Sequence, residues 1–213
     1  MLQQSRNIGL ERLGRLREKS EADMVDAGER FTRLARPDAA PKVFTSFNLF
    51  PTPAKLAARV IEIADIRLGH KVLEPSAGMG NLLQPIADNL RPYERHISVE
   101  AVEINPDMCH HLSKTDFYMW VAARCADFLT WKAPHLFDRI VMNPPFKMGT
   151  DIKHIRHALA MLRSGGRLVS LCAAGPKQRA ALQPIASQWI DLEPRAFAES
   201  GTNVQAAIVV IDL

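Results

Sequence analysis

The most specific chemistry in the sequence lies in four consecutive residues, Asn143, Pro144, Pro145 and Phe146, which follow the apolar stretch 140–142. Two prolines fix φ and remove two backbone donors. The nearby carbonyls and the Asn143 amide oxygen are then held as acceptors around one point, and an aromatic ring follows at once. The pattern predicts a site for a flat group bearing an NH2, with acceptors on the amine hydrogens and Phe146 stacked on the ring.

A second signal is the glycine-containing segment EPSAGMGN, which begins at Glu74 and follows a predicted strand. Gly78 and Gly80 allow a tight turn and the close approach of a ligand. Only G-x-G is present, so the pattern supports diphosphate binding weakly. The carboxylate of Glu74 would repel a phosphate and attract an ammonium group. A plain strand-to-helix turn stays open as an alternative.

Two further acidic signals follow later predicted strands. Glu103 ends the segment HISVEAVEI, where a carboxylate can accept hydrogen bonds from both hydroxyls of a ribose. Glu100 competes for this role, but the two residues lie on opposite faces of a strand, and Glu103 is nearer its carboxyl end. Asp127 can accept from an exocyclic amine, and Phe128 can pack on an adenine face. Surface roles stay open for both acidic positions.

The elements that must position these residues alternate between strand and helix from Val43 onward. This alternation predicts an α/β fold with a doubly wound, mostly parallel sheet. The final segment, 190–213, is predicted as two strands around a Ser-Gly-Thr-Asn turn, which adds an antiparallel hairpin. Such sheets bind ligands at the carboxyl ends of their strands. Helices are predicted over 54–66, 81–90, 106–114, 151–162 and 177–188, with a turn at Gly165-Gly166.

Composition limits the classes of protein that fit. The chain has 213 residues and a net charge of +4, which suits one domain with a small appendage and permits a nucleic-acid partner. It contains no apolar run long enough for a membrane span or a secretory signal. Its three scattered cysteines indicate a reducing compartment, so a cytoplasmic location is expected. No metal site is expected, and His154 and His157 are interpreted as solvated surface.

The first 42 residues differ from the rest, since they are rich in Arg, Glu, Leu and Ala with a broken helical stripe. Pro37 and Pro41 end that stripe. The pattern predicts an N-terminal helical extension over 1–42 and a catalytic domain over 43–213. The extension is either an arm that touches nucleic acid or a second subunit, or a solvated amphipathic helix.

Together these motifs resemble those of class I S-adenosylmethionine-dependent methyltransferases, and within them the enzymes that methylate N6 of adenine. EPSAGMGNLL resembles the first cofactor motif, VEIN the ribose-binding motif, ADF the adenine-contacting motif and NPPF the catalytic tetrapeptide. FPTPAKLA, at 50–57, resembles the motif beside the methionine end of the cofactor. This order, and the terminal AESGTNVQAAIVVI, resemble the gamma group of DNA adenine methyltransferases.

The resemblance implies a Rossmann-like sheet of seven strands, S-adenosylmethionine as cofactor, and direct methyl transfer without a metal or a covalent intermediate. The implied catalytic residues are the four of the NPPF tetrapeptide. The implied cofactor-binding residues are Pro51, Thr52, Glu74, Ser76, Gly78, Gly80, Glu103, Ile104, Asp127, Phe128 and Asn143. Three basic residues near the same sheet edge, Lys147, Lys177 and Arg179, are predicted to contact a nucleic-acid backbone.

The substrate implied by the resemblance is the N6 amine of adenine in nucleic acid, with DNA favoured. RNA adenine N6 methylation, methylation of a protein glutamine at N5, and a cofactor-binding subunit of a larger methyltransferase stay open. Sequence-specific members usually carry a target-recognition domain after the catalytic sheet, whereas this chain ends on the last predicted strand. We therefore expect low specificity, a homodimer or specificity partner, or a substrate other than duplex DNA.

Overall fold

The computed structural model describes residues 50–90, 97–114 and 120–213. The predicted N-terminal extension over 1–42 lies outside these ranges, as do residues 43–49 at the start of the predicted catalytic domain.

The described residues form one mixed sheet of seven strands in the order β3-β2-β1-β4-β5-β7-β6. Strands β1 to β5 run parallel, and β7 runs antiparallel between β5 and β6. The strands are β1 Lys71–Glu74, β2 Ser98–Glu103, β3 Val121–Cys125, β4 Phe137–Met142, β5 Leu162–Ala173, β6 Gln188–Asp191 and β7 Ala206–Asp212. The predicted doubly wound sheet with a terminal antiparallel hairpin is thus confirmed.

Helices cover both faces of the sheet. They are α1 Ala54–Ala64, α2 Leu83–Leu90, α3 Pro106–Leu112, α4 Thr150–Leu159 and α5 Pro176–Leu182. Strand β4 shows how the two faces are built, because Val141 packs into one buried cluster while Ile140 and Met142 pack into the other. This alternation follows from the two-residue period of a strand whose faces are both buried.

The strand order places a crevice at the carboxyl ends of β1 and β4. From β1 the chain builds outward to β2 and β3, then returns to the other side of β1 to form β4. The connections on the two sides of this reversal diverge, so the strand ends between them stay open to a ligand. The segments that follow β1, β2, β3 and β4 all carry predicted site residues.

Several local predictions differ from the structure. The helix predicted over 177–188 ends at Leu182, and Gln188 opens β6, because Pro184 in the next turn cannot continue an α-helix. The helix predicted over 151–162 ends at Leu159. The Gly165-Gly166 turn lies inside β5, where residues 163–166 bulge out as the pairing shifts. The β6–β7 connection is also longer than the predicted turn and spans 192–205.

Candidate active site

A cavity of about 360 Å³ opens at the carboxyl ends of β1, β2 and β4. The structure brings most of the sequence-predicted residues together in its lining. The predicted residues that line it are Pro51, Thr52, Glu74, Ser76, Gly78, Glu103, Ile104, Asp127, Phe128, Asn143, Pro144, Pro145 and Phe146. Gly80, Lys147, Lys177 and Arg179 lie outside the lining.

The side chain of Asn143 is fixed by the segment that precedes α1. Its Nδ2 donates to the Phe50 carbonyl oxygen and to Thr52 Oγ1, both at 3.0 Å. Both amide hydrogens are thereby used, so Oδ1 is the atom of this amide left to accept a hydrogen bond. Thr52 is itself buried. The asparagine therefore presents an acceptor to the cavity in one defined orientation.

The β6–β7 connection supports the aromatic residue of the tetrapeptide. Phe146 is half-buried and meets the buried ring of Phe197 edge to face, with centroids 6.0 Å apart. In the same connection, Ser200 Oγ donates to the Pro51 carbonyl oxygen at 2.5 Å. One loop thus holds both Phe146 and the segment that orients Asn143. The sequence gives no local signal for Phe197, because a lone aromatic residue in a loop has many roles.

Glu103 is held by backbone amides on both carboxylate oxygens. The Gly78 N–H donates to Oε2 and the Asn105 N–H donates to Oε1, each at 2.8 Å. Each oxygen retains a lone pair for a further donor. Gly78 has a φ of +55°, in the region that favours glycine. Glu100 lies on the other face of β2, within 3.6 Å of Arg124, as the two-residue period predicts.

Glu74 is the least compensated polar group in the cavity. Its side chain is 2% exposed, and no hydrogen-bond partner of Oε2 occurs in the described part of the chain. Burial raises the pKa of Glu74 well above its ordinary value, and the negative charge of Glu103 raises it further. A buried carboxyl group with an unused oxygen is suited to hold either a proton or a cationic ligand.

The part of the cavity formed by the segments after β2 and β3 combines apolar and polar surfaces. Ile104 is 66% exposed although it is a large hydrophobic residue. Asp127 Oδ1 accepts from the Leu129 N–H at 2.9 Å, which leaves its second oxygen available. Phe128 is buried and meets the ring of His154 with centroids 5.7 Å apart. This side therefore offers an apolar surface beside a carboxylate.

His154 lines the cavity, and the interpretation of this residue as solvated surface is wrong. Helix α4 packs it against Phe128, so the side chain is 8% exposed. Its Nδ1 lies 2.9 Å from the Thr150 carbonyl oxygen, which requires Nδ1 to donate. Burial lowers the pKa of His154. The helical pattern alone does not show that this face meets the 127–128 segment.

The three predicted backbone contacts differ in their surroundings. Lys147 and Lys177 are exposed, and Lys177 Nζ lies 3.4 Å from the Met148 carbonyl oxygen. Arg179 forms an ion pair with Asp191 at 2.6 Å and lies over the ring of Trp189. The two lysines are closer to the tetrapeptide than the arginine is, because Lys147 follows it directly and Lys177 contacts Met148.

The described ranges contain no cluster of three or more His, Cys, Asp and Glu side chains arranged to hold a metal ion. No helix within the same ranges is long and apolar enough to cross a membrane.

The class of the domain follows from comparison with known proteins. The profile of the methyltransferase small domain matches residues 53–189, more than half of the chain, and the chain belongs to that family. The matched region includes the four motifs that border the cavity. The cofactor is S-adenosylmethionine.

Three curated relatives are methyltransferases. The type II methyltransferase M.TthHB8I of Thermus thermophilus is 32% identical over 115 residues, 54% of this chain and 25% of the relative. The tRNA (guanine(6)-N2)-methyltransferase of Thermus thermophilus is 28% identical over 159 residues, 68% of this chain and 45% of the relative. The tRNA1(Val) (adenine(37)-N6)-methyltransferase of Aliivibrio fischeri is 34% identical over 88 residues, 39% of this chain and 36% of the relative. The chain thus spans less than half the length of each of these relatives.

The solved structures support the same fold. A type I restriction-modification methyltransferase subunit from Streptococcus thermophilus superposes with a TM-score of 0.66 at 18% identity, over 79% of this chain and 46% of that chain. At this identity the likeness concerns the fold alone. It agrees with the sheet order and confirms the class I methyltransferase architecture.

Proposed function

We propose that this chain transfers a methyl group from S-adenosylmethionine to the N6 amine of adenine in nucleic acid, most readily DNA. The observation that carries the proposal is the orientation of Asn143. Both hydrogens of its amide go to Phe50 and Thr52, and the two prolines that follow have no N–H. The tetrapeptide therefore offers acceptors to the cavity, which matches a substrate amine with two hydrogens.

The residues around the cavity fit the cofactor. The unpartnered carboxyl of Glu74 would hold the ammonium group, and the remaining lone pairs of Glu103 would accept from the ribose hydroxyls. Asp127 would accept from the exocyclic amine of the cofactor adenine. The other residues proposed to bind the cofactor are Pro51, Thr52, Ser76, Gly78, Gly80, Ile104 and Phe128. When bound, the cofactor supplies an electrophilic methyl group on a positively charged sulfur.

The protein would act on the substrate amine mainly by positioning. The lone pair of an aromatic amine is delocalised into its ring, which makes the nitrogen a weak nucleophile. Hydrogen bonds from the amine to Asn143 Oδ1 and to the Pro144 carbonyl would favour a pyramidal nitrogen with a localised lone pair. Phe146 would stack on the base and fix its plane. Holding the reacting groups in this geometry supplies much of the rate enhancement.

A nucleic-acid substrate also needs contacts outside the cavity. Lys147 and Lys177 are exposed beside the tetrapeptide and would contact phosphates, and Arg179 is a third candidate. A base inside a duplex must be extruded to reach the cavity, at a cost of a few kcal/mol. We assign catalysis to residues 43–213 and propose a cytoplasmic location, with a homodimer or a specificity partner selecting the target.

A second candidate function is methylation of another nucleobase amine in RNA. It is favoured by the relative named as a tRNA guanine N2 methyltransferase, which matches 68% of this chain. Guanine also carries an NH2 on a flat ring, so the same acceptors and the same aromatic residue suit it. A glutamine amide poses a similar problem for the acceptors but offers no ring to Phe146. The role of cofactor-binding subunit is less well supported, because it needs no ordered tetrapeptide.

The test uses the full chain with radiolabelled S-adenosylmethionine and three substrates: unmethylated DNA, bulk RNA and a protein extract. Digested nucleosides are identified by mass. N6-methyladenine in DNA that disappears in Asn143→Ala supports the proposal. The exposed amide variant Gln183→Ala is the matched control and should keep full activity. Label in N2-methylguanine or in protein alone would refute adenine as the substrate while leaving the cofactor assignment intact.

A further inference from the structure

Met148 is exposed and conformationally unusual directly beside the tetrapeptide. Its side chain is 85% exposed, the highest value among the large hydrophobic residues that the structure describes. Its φ of +55° lies in the left-handed region, which side chains other than glycine rarely adopt. An exposed apolar side chain on such a backbone adds little to the stability of the fold. The stability of the fold therefore does not explain the conformation of Met148.

Hydrogen bonds hold the backbone before and after Met148. Gly149, with a φ of +76°, donates its N–H to the Phe146 carbonyl oxygen at 3.3 Å. Thr150 Oγ1 donates to the Lys147 carbonyl oxygen at 2.8 Å. Lys177 Nζ donates to the Met148 carbonyl oxygen at 3.4 Å. The turn is thus held in one shape while the side chain at its tip points into solvent.

The φ of +76° at Gly149 favours a glycine after Met148, and the end of the Lys177 side chain lies beside this position. A Cβ atom at Gly149 would come within 2.9 Å of Lys177 Nζ. The lysine therefore lies against the turn and brings a positive charge next to Met148. Lys147, the residue before Met148, is a second exposed cation next to the tip.

A solvated apolar tip beside two lysines matches the chemistry of a nucleic-acid strand. Phosphates alternate along the strand with bases whose faces are apolar, and proteins use Met and other apolar side chains as wedges between neighbouring bases. We propose that Met148 contacts the base adjacent to the target, and that Lys147 and Lys177 contact the flanking phosphates. The wedge would hold the strand so that the target amine enters the cavity. The inference rests on the proposed nucleic-acid substrate.

The experiment compares Met148→Gly with the wild type on a synthetic oligonucleotide that carries the site methylated in the experiment above. Glycine removes the side chain and relaxes the left-handed backbone. We expect kcat/KM for the oligonucleotide to fall by about 10- to 100-fold, the effect typical of a lost base contact. The Tm should stay the same or rise. The Kd for S-adenosylmethionine should change by less than about two-fold, because Met148 does not line the cavity.

Two further measurements separate a base contact from a structural role. Met148→Leu keeps an apolar tip and should restore most of the oligonucleotide activity, whereas Leu68→Ala removes an exposed leucine before β1, at the opposite edge of the sheet, and should have no effect. The inhibition constant of dAMP, which has no neighbouring base, should be the same in Met148→Gly and in the wild type.

Several results would overturn the inference. Oligonucleotide activity that survives in Met148→Gly would show that the side chain makes no useful contact. A parallel loss of cofactor or dAMP binding, or a lower Tm, would show that Met148 supports the cavity itself. If the wild type modified protein and no nucleic acid, the proposed function would fail first. A wild type that methylates nucleic acid with an indifferent Met148→Gly would refute the wedge alone.

Discussion

The carboxyl group of Glu74 is buried. We expect its replacement to raise the stability of the fold and to lower the affinity of the protein for the cofactor. The side chain is 2% exposed and Oε2 has no hydrogen-bond partner among the described residues. Glu103 adds a second carboxylate nearby, and burial together with that charge raises the pKa of Glu74. Glu74→Gln keeps the shape of the side chain but cannot ionise. It removes both the like-charge repulsion and the need to hold a proton.

The effect on stability has a defined dependence on pH. In the unfolded chain Glu74 ionises at its ordinary pKa, whereas in the folded chain it keeps its proton to a higher pH. The wild type therefore loses stability as pH rises from the unfolded pKa to the folded pKa, by about 1.4 kcal/mol for each pH unit in that window. Glu74→Gln lacks this loss. Its gain in unfolding free energy should be larger at pH 8 than at pH 5.

The effect on the cofactor should have the opposite sign. An ammonium group favours ionised Glu74, and a charge-assisted hydrogen bond contributes about 1.5–3 kcal/mol, so Glu74→Gln should weaken S-adenosylmethionine binding by about 10- to 100-fold. Below the raised pKa of Glu74 the wild-type affinity should rise with pH, and that of the variant should stay nearly flat.

Urea unfolding without cofactor and isothermal titration with cofactor measure the two quantities. Glu62→Gln, on the exposed face of α1, is the matched control. Two results would refute the reasoning. Unfolding free energies of Glu74→Gln and wild type that stay parallel from pH 5 to pH 8 would show that Glu74 titrates normally. Unchanged cofactor affinity would show that its carboxylate does not meet the ammonium group.

Three further variants or reagents test other parts of the site. Asn143→Asp loses the donor to the Phe50 carbonyl at 3.0 Å, and an unsatisfied carbonyl costs about 1–3 kcal/mol; we expect methyl transfer to fall at least about ten-fold, measured by single-turnover labelling. Phe197→Leu removes the edge-to-face partner of the tetrapeptide aromatic and should lower the unfolding free energy by about 1 kcal/mol in urea titrations. Burial raises the pKa of the Cys172 thiol, so iodoacetamide at pH 8 should label exposed Cys125 first and Cys172 only after unfolding, as read by peptide mass.

The sequence predicted which candidate residues lie together where strand geometry determines their placement. Glu103 could be chosen over Glu100 because it lies nearer the carboxyl end of the predicted strand, and the structure places the two residues on opposite sides of β2, as the alternation of a strand predicts. The residues after β1, β2 and β4 meet because parallel strands end at one edge of the sheet. These relations depend on local periodicity and topology, both of which the sequence records.

Contacts between distant segments could not be predicted in the same way. The hydrogen bonds from Asn143 to the segment before α1 join residues more than ninety positions apart. His154 was misassigned because its burial depends on how α4 packs against Phe128, and a helical pattern gives a face without its partner. Phe197 reaches Phe146 through an irregular connection. Each case depends on the course of a loop, which no periodic pattern encodes.

Glu74 and Met148 each have a locally unfavourable feature beside the tetrapeptide, and we interpret both features as a cost that a bound ligand would offset. Elsewhere around the cavity, carboxylates and amides are satisfied: Glu103 by backbone N–H groups and Asn143 by Phe50 and Thr52. Glu74 keeps an unpartnered oxygen in the cavity, and Met148 keeps a left-handed backbone outside it. Both cost stability in the free protein, and features of this kind collect at functional sites. If a cation relieves the first and a base covers the second, cofactor and substrate would each compensate for one of these costs, and both would bind next to Asn143, where methyl transfer is proposed to occur.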